Sequence, residues 1–144
     1  MKKWMMSASS LLAIIALAQM APAGDLGEAT EILCSPSWVI SCAENHVCET
    51  GLPTEWNIPE HVIADLEKKT LSSPGAGGET RKTAIESAHP ENGLIIIQGH
   101  ELGRAFSLVV SESTGSLSGS ITTENLTIAI FGGCTPLPIE GVGQ

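Results

Sequence analysis

The chain has 144 residues, 42% of them hydrophobic, with sixteen acidic residues against seven basic ones and a formal charge of −9. That length fits one domain with a single core behind a short leader. The acidic balance, with no extended basic stripe, excludes nucleic acid as a partner and offers nothing to an anionic membrane surface.

The chain begins with Lys2 and Lys3, followed by the uncharged apolar run LLAIIALA from Leu11 to Ala18. Ala21-Pro22-Ala23 then supplies the small residues that a signal peptidase reads. Residues 1–23 are therefore expected to be a signal peptide, cut before Gly24. Residues 24–144 are expected to be a single exported β domain, ordered from about residue 32 to about residue 135. The apolar run falls short of the ~20 residues that a membrane span needs, so no span is expected once the leader is removed. The leader holds two of the seven basic residues and none of the sixteen acidic ones, so cutting it takes the formal charge from −9 to −11. Such a signal places the domain in the periplasm or outside the cell.

Gly24 to Thr30 is small and polar, a loose lead into the fold. Cys34 to Thr50 holds three cysteines and the trio Trp38-Val39-Ile40, which suits a strand and a hairpin. Four cysteines in an exported chain predict two disulfides. Cys42 and Cys48 flank a short polar turn, which favours a local bridge and leaves Cys34 for Cys134, although three pairings are formally open. Gaps of seven and five residues do not match ribbon-type zinc spacing.

Gly51 to Pro59 carries two prolines and Trp56 and reads as an irregular connection. From His61 to Glu67, Val62, Ala64 and Leu66 alternate with more polar positions, as in a half-buried strand. The stretch Glu60 to Leu71 also tolerates a helical period, so strand and helix both stand there. A loop is expected from Ser72 to Thr80, a weaker strand from Lys82 to Ala88, and a turn from His89 to Gly93 with its Asn-Gly hairpin signal. Strands follow at Leu94–Gln98, Arg104–Ser111, Gly115–Thr123 and Asn125–Gly132. The expected core is Val62, Leu66, Ile85, Leu94, Ile96, Phe106, Leu108, Val110, Leu117, Ile121, Leu126, Ile128 and Ile130. Short strands with turn residues between them predict an all-β, single-domain antiparallel meander, a small barrel or sandwich stapled by disulfides. Closing the meander would make its first and last strands neighbours, where a Cys34–Cys134 bridge would sit.

Chemistry-bearing residues concentrate in Gln98–Arg104, QGHELGR, with His100, Glu101 and Arg104. His100-Glu101 opens like a zinc-protease motif, but Arg104 stands where the second histidine belongs. Gly115-Ser-Leu-Ser-Gly119 places its serines second and fourth, whereas a nucleophile elbow needs one third. Asp65 and Glu67 are two carboxylates on one strand face, and the four histidines fall in four separate segments. No catalytic residue, metal or cofactor is assigned. Gly99 and Gly103 mark the centre of QGHELGR as a hairpin turn. Leu94 to Ile97 is apolar on both faces, so Ile95 and Ile97, with Phe131, are expected on the outer face. There they are covered by the segment bearing Trp38 and Trp56, or they form a patch for a partner.

The run QGHELGRAFSLVVSESTGSLSGSI followed by FGGCTP resembles the C-terminal half of a family of small exported proteobacterial proteins of unknown function. Phe106 stands where that pattern more often has tryptophan. Cys34 to Asp65 matches through its cysteines and the Asn57-Ile58-Pro59 step. The resemblance implies an exported, disulfide-bonded β domain and no particular activity. The expected function is a non-enzymatic binding module for a small apolar ligand or an envelope protein. Speculative contacts are His100, Glu101, Arg104, Ile95, Ile97 and Phe131. The alternatives are a small envelope hydrolase or metal-dependent enzyme using His100, Glu101 and Arg104, and a structural envelope protein.

Overall fold

A computed structural model describes residues 25–74 and 78–137, so the expected signal peptide lies outside the described residues. The fold is an antiparallel sheet of ten strands with no α-helix among the described residues. The strands are β1 Glu31–Ala43, β2 Cys48–Gly51, β3 Val62–Asp65, β4 Thr70–Pro74, β5 Thr80–Ala84, β6 Ser87–Glu91, β7 Leu94–Glu101, β8 Arg104–Ser111, β9 Ser116–Thr122 and β10 Leu126–Pro136. Nine of them form a path in the order β5-β4-β3-β1-β10-β9-β8-β7-β6, and β2 pairs with the second half of β1. The path curls into a half-barrel. Near its middle β1, the first strand, pairs with β10, the last.

The two edge strands of the path are consecutive in the chain. β5 ladders with β4, and β6 ladders with β7. Between them, the Ile85 amide donates to the Lys69 carbonyl and the Glu86 amide to the Gln98 carbonyl. One extended segment thus starts on one edge of the sheet and finishes on the other. Beside it, a Cβ on Gly99 would sit 2.9 Å from the Ala84 carbonyl oxygen, so only glycine lets β7 approach β5 this closely.

The 60–71 stretch is strand, turn and strand, with no helix. β4 reaches Pro74 inside the expected loop, and the expected Lys82–Ala88 strand splits at Ile85 into β5 and β6. Of the expected His89–Gly93 turn only Asn92 and Gly93 turn, both with positive φ, while His89 lies in β6. A second two-residue turn, Leu102-Gly103, with φ of 48° and 76°, joins β7 to β8.

These turns fix which face each residue takes. With Glu101 opposite Arg104, Ile97 lies opposite Leu108 and Ile95 opposite Val110. Ile95 and Ile97 are therefore buried core residues, while Leu94 is exposed and Ile96 half-buried on the outer face. This reverses the expected outward placement of Ile95 and Ile97 and the inward placement of Leu94 and Ile96. A run of apolar residues carries no alternation, so its phase comes from the turns that bound it.

In β1 the register shifts between Pro36 and Trp38. Ile32 and Cys34 point inward before the bulge, Val39 and Ser41 after it. Within the expected loose lead, the described part from Asp25 to Thr30 is anchored, since Leu26 is fully buried and its amide donates to the Glu112 carbonyl.

Cys34–Cys134 and Cys42–Cys48 are disulfide-bonded, each joining residues directly opposite in adjacent strands. Such bonds fit an oxidising compartment. No helix of the described residues is long and apolar enough to cross a membrane.

Candidate functional site

The interior holds two separate core clusters. Leu26, Ile32, Ile95, Ile97, Val110 and Leu117 pack around Cys34–Cys134 at one end. Val39, Ile58, Ile128 and Ile130 form the second, with Trp56 and Ile121 packed against it. The space between them is a cavity of about 130 Å3, walled by members of both groups, including Leu71, Phe106, Leu108, Leu117, Ile121 and Ile130. An outer recess of about 430 Å3 adjoins it, sharing Asn57, Ile58, Pro59, Ser73 and Arg81.

Arg81, Thr83, Glu101 and Arg104 line the same cavity. β5 supplies Arg81, which pairs with Glu101 on β7 across the edge where the two strands share no ladder. The hydrogen bond from Arg81 holds the Glu101 carboxyl below its ordinary range. Partial burial pushes the other way, and Thr83, Arg81's charge and Arg104 add to the lowering. Arg104 faces Glu101 across the two-residue turn.

The structure separates the expected His100, Glu101 and Arg104 trio. Neighbouring strand residues point to opposite faces, so His100 lies outside with its Nδ1 2.7 Å from Glu86 Oε1, while Glu101 lines the cavity. His100 therefore does not line the cavity with Glu101 and Arg104. His61 contacts Ser35, and His89 contacts Ser87 and Glu91. Among the described residues no group of three or more His, Cys, Asp or Glu side chains could hold a metal ion.

Asp65 and Glu67 do not form a carboxylate pair either. Asp65 is buried at the end of β3 and accepts from the Lys68 amide at 2.7 Å and the Lys68 Nζ at 2.8 Å, whereas Glu67 is exposed in the turn. The side-chain hydrogen bond from Lys68, reinforced by its amide, lowers the Asp65 pKa from its ordinary 3.8.

Phe131 is exposed on the outer face, as expected, and lies directly opposite Trp38 in the β1–β10 ladder. Trp38 is itself exposed, while Trp56 packs against the second core cluster. Sequence reasoning missed Arg81 and Ile58. Arg81 sits in a weakly patterned strand, and Ile58 lies between Pro53 and Pro59 with no period to read. An inward Glu101 calls for a cation, but nothing local says which. The chain matches no protein-family model and no curated protein.

Proposed function

We propose that this chain is an exported, non-enzymatic binding module of the kind its C-terminal pattern resembles, and that it takes a small, mainly apolar ligand in the cavity between its two core clusters. The observation that carries this reading is that the clusters leave about 130 Å3 free between them. Interiors ordinarily pack to crystal density, and lost contacts around a void cost stability. Apolar walls with a few convergent polar groups at one side are the ordinary make-up of a small-molecule site. The outer recess leaves room for the remainder of a longer molecule.

Native mass spectrometry of the protein isolated gently from its own cells tests both parts of the reading. The expected spectrum shows a chain beginning at Gly24 with a small molecule bound one to one, and Ile121→Trp, which fills the cavity, loses that species. A chain still beginning at Met1 removes the export reading, and a bare chain in every preparation removes the ligand. A co-purifying polypeptide in place of a small molecule moves the site to the outer face, where Trp38 and Phe131 stand exposed side by side.

A further inference from the structure

The cavity is apolar in its walls and unbalanced in its charge. Among the described residues its charged lining side chains are Arg81, Glu101 and Arg104, two cations against one anion. Arg81 is already bound to Glu101. Among the described residues no carboxylate lies within 4.0 Å of the Arg104 guanidinium. A positive charge thus lines the interior of a chain whose acidic residues outnumber its basic ones sixteen to seven.

Arg104 occupies the inward row of β8 that continues as Phe106, Leu108 and Val110. It is half-buried, so it gives up part of its hydration. A guanidinium recovers that loss best from a planar carboxylate that accepts two of its N–H groups. Among the described residues Glu101 is the only carboxylate in the lining, and Arg81 holds it. Glu101 accepts its hydrogen bond from Arg81 and acts on Arg104 through charge alone.

Resting on the cavity as the ligand site, we infer that the ligand is a small carboxylic acid with an apolar body, an aryl or short-chain acid. Its apolar end lies among Phe106, Leu108, Ile121 and Ile130, and its carboxylate sits on Arg104. Arg81 is a positioning residue, acting through Glu101.

Isothermal titration of the purified protein with sodium phenylacetate, 2-phenylethanol and 2-phenylethylamine tests this, because the three share a ring and differ in the head group. Phenylacetate is expected to bind about tenfold or more tightly than the alcohol, as one charge-assisted hydrogen-bonded pair implies, and the amine most weakly. Arg104→Gln is expected to bring phenylacetate down to the affinity of the alcohol and leave the alcohol unchanged, which also shows that the variant is folded. Arg104→Lys is expected to keep part of the preference. Arg81→Gln frees Glu101 to pair with Arg104, so it is expected to weaken the acid and not the alcohol. Equal binding of acid and alcohol by the unaltered protein overturns the acid head group while the cavity reading stands. Saturable binding of none of the three overturns both. Should Arg104→Gln fail to fold, the ratio of acid to alcohol in the unaltered protein decides.

Discussion

At the disulfide end of the half-barrel, one row of inward residues across β7, β8 and β9 reads Ile95, Val110 and Leu117, all buried. At the other end, the same two strands β7 and β8 finish on Glu101 and Arg104, both only half-buried. The hydrogen-bonded ladder runs unbroken from one row to the other, so backbone pairing does not distinguish the ends. The side chains do. Leu26 and Cys34–Cys134 plug and staple the first end, while toward the second the walls open into the cavity, with the Arg81–Glu101 pair and Arg104 in its lining. One sheet therefore serves as an anchor at one end and as a receptacle at the other.

The disulfides give the widest contrast. Cys34–Cys134 spans 100 residues and Cys42–Cys48 spans six. In the chain-entropy picture, loops of those sizes correspond to ~4.7 and ~2 kcal/mol of stability. Serine replacement of the first pair is expected to unfold the domain or lower its chemical-denaturation midpoint severely, and replacement of the second to cost about half as much. Equal losses would show that the plugged end is not the anchor.

Cutting the same side chain at each end sharpens the comparison. Ile97 is fully buried, so Ile97→Ala is expected to cost ~2–5 kcal/mol. Ile121 is half-buried beside existing free space, so Ile121→Ala is expected to cost only ~1–2 kcal/mol. Urea unfolding of the two variants measures the difference, and equal costs would mean that the open end is packed as tightly as the closed one.

Each end also carries an acid-sensitive carboxylate. Lys68 lowers the pKa of Asp65 at the β3–β4 turn, and Arg81 lowers that of Glu101 at the cavity. A carboxylate with a depressed folded pKa stabilises the fold above its unfolded value and loses that contribution as pH falls through its folded value. The ordinary values are 3.8 and 4.5. Thermal midpoints followed from about pH 6 down to about pH 3 should therefore fall less steeply in Asp65→Asn and Glu101→Gln than in the unaltered protein. Parallel curves would contradict the assignment.

The smallest expected effect is a gain. Leu102 adopts a left-handed backbone and is fully out in solvent, at 83% exposure. Asparagine suits that first position of a two-residue hairpin turn far better, so Leu102→Asn is expected to stabilise the domain by about 0.5–1 kcal/mol in the same unfolding assay. A loss of ligand affinity in Leu102→Asn, with stability unchanged or raised, would instead tie that loop to the mouth of the cavity.

Much of the fold was legible where polar and apolar residues alternate. The faces of β8, β9 and β10 follow directly from Phe106, Leu108, Leu117, Ile128 and Ile130, and the cysteine positions pointed to the pairs that form. β7 was misread because Leu94 to Ile97 has no alternation. Counting Leu102-Gly103 as a two-residue turn would have set its phase through the Ile97–Leu108 pairing. The bulge after Pro36 and the burial of Leu26 depend on long-range partners in β10 and at Glu112, and no local pattern announces them. For the site, Arg104 and Glu101 were found as charges in a conspicuous hairpin. Their inward orientation, the rejection of His100 and the arrival of Arg81 from β5 are consequences of how the sheet curls.

The central claim is that the open end, and not the plugged end or the outer face, receives a ligand. Two-dimensional NMR of the labelled protein titrated with sodium phenylacetate tests it most directly. Saturable shifts are predicted to concentrate at Ile58, Leu71, Phe106, Leu108, Ile121 and Ile130, with Leu26, Ile95 and Val110 unmoved. Shifts centred on Trp38 and Phe131, or on the residues around Leu26, would contradict it.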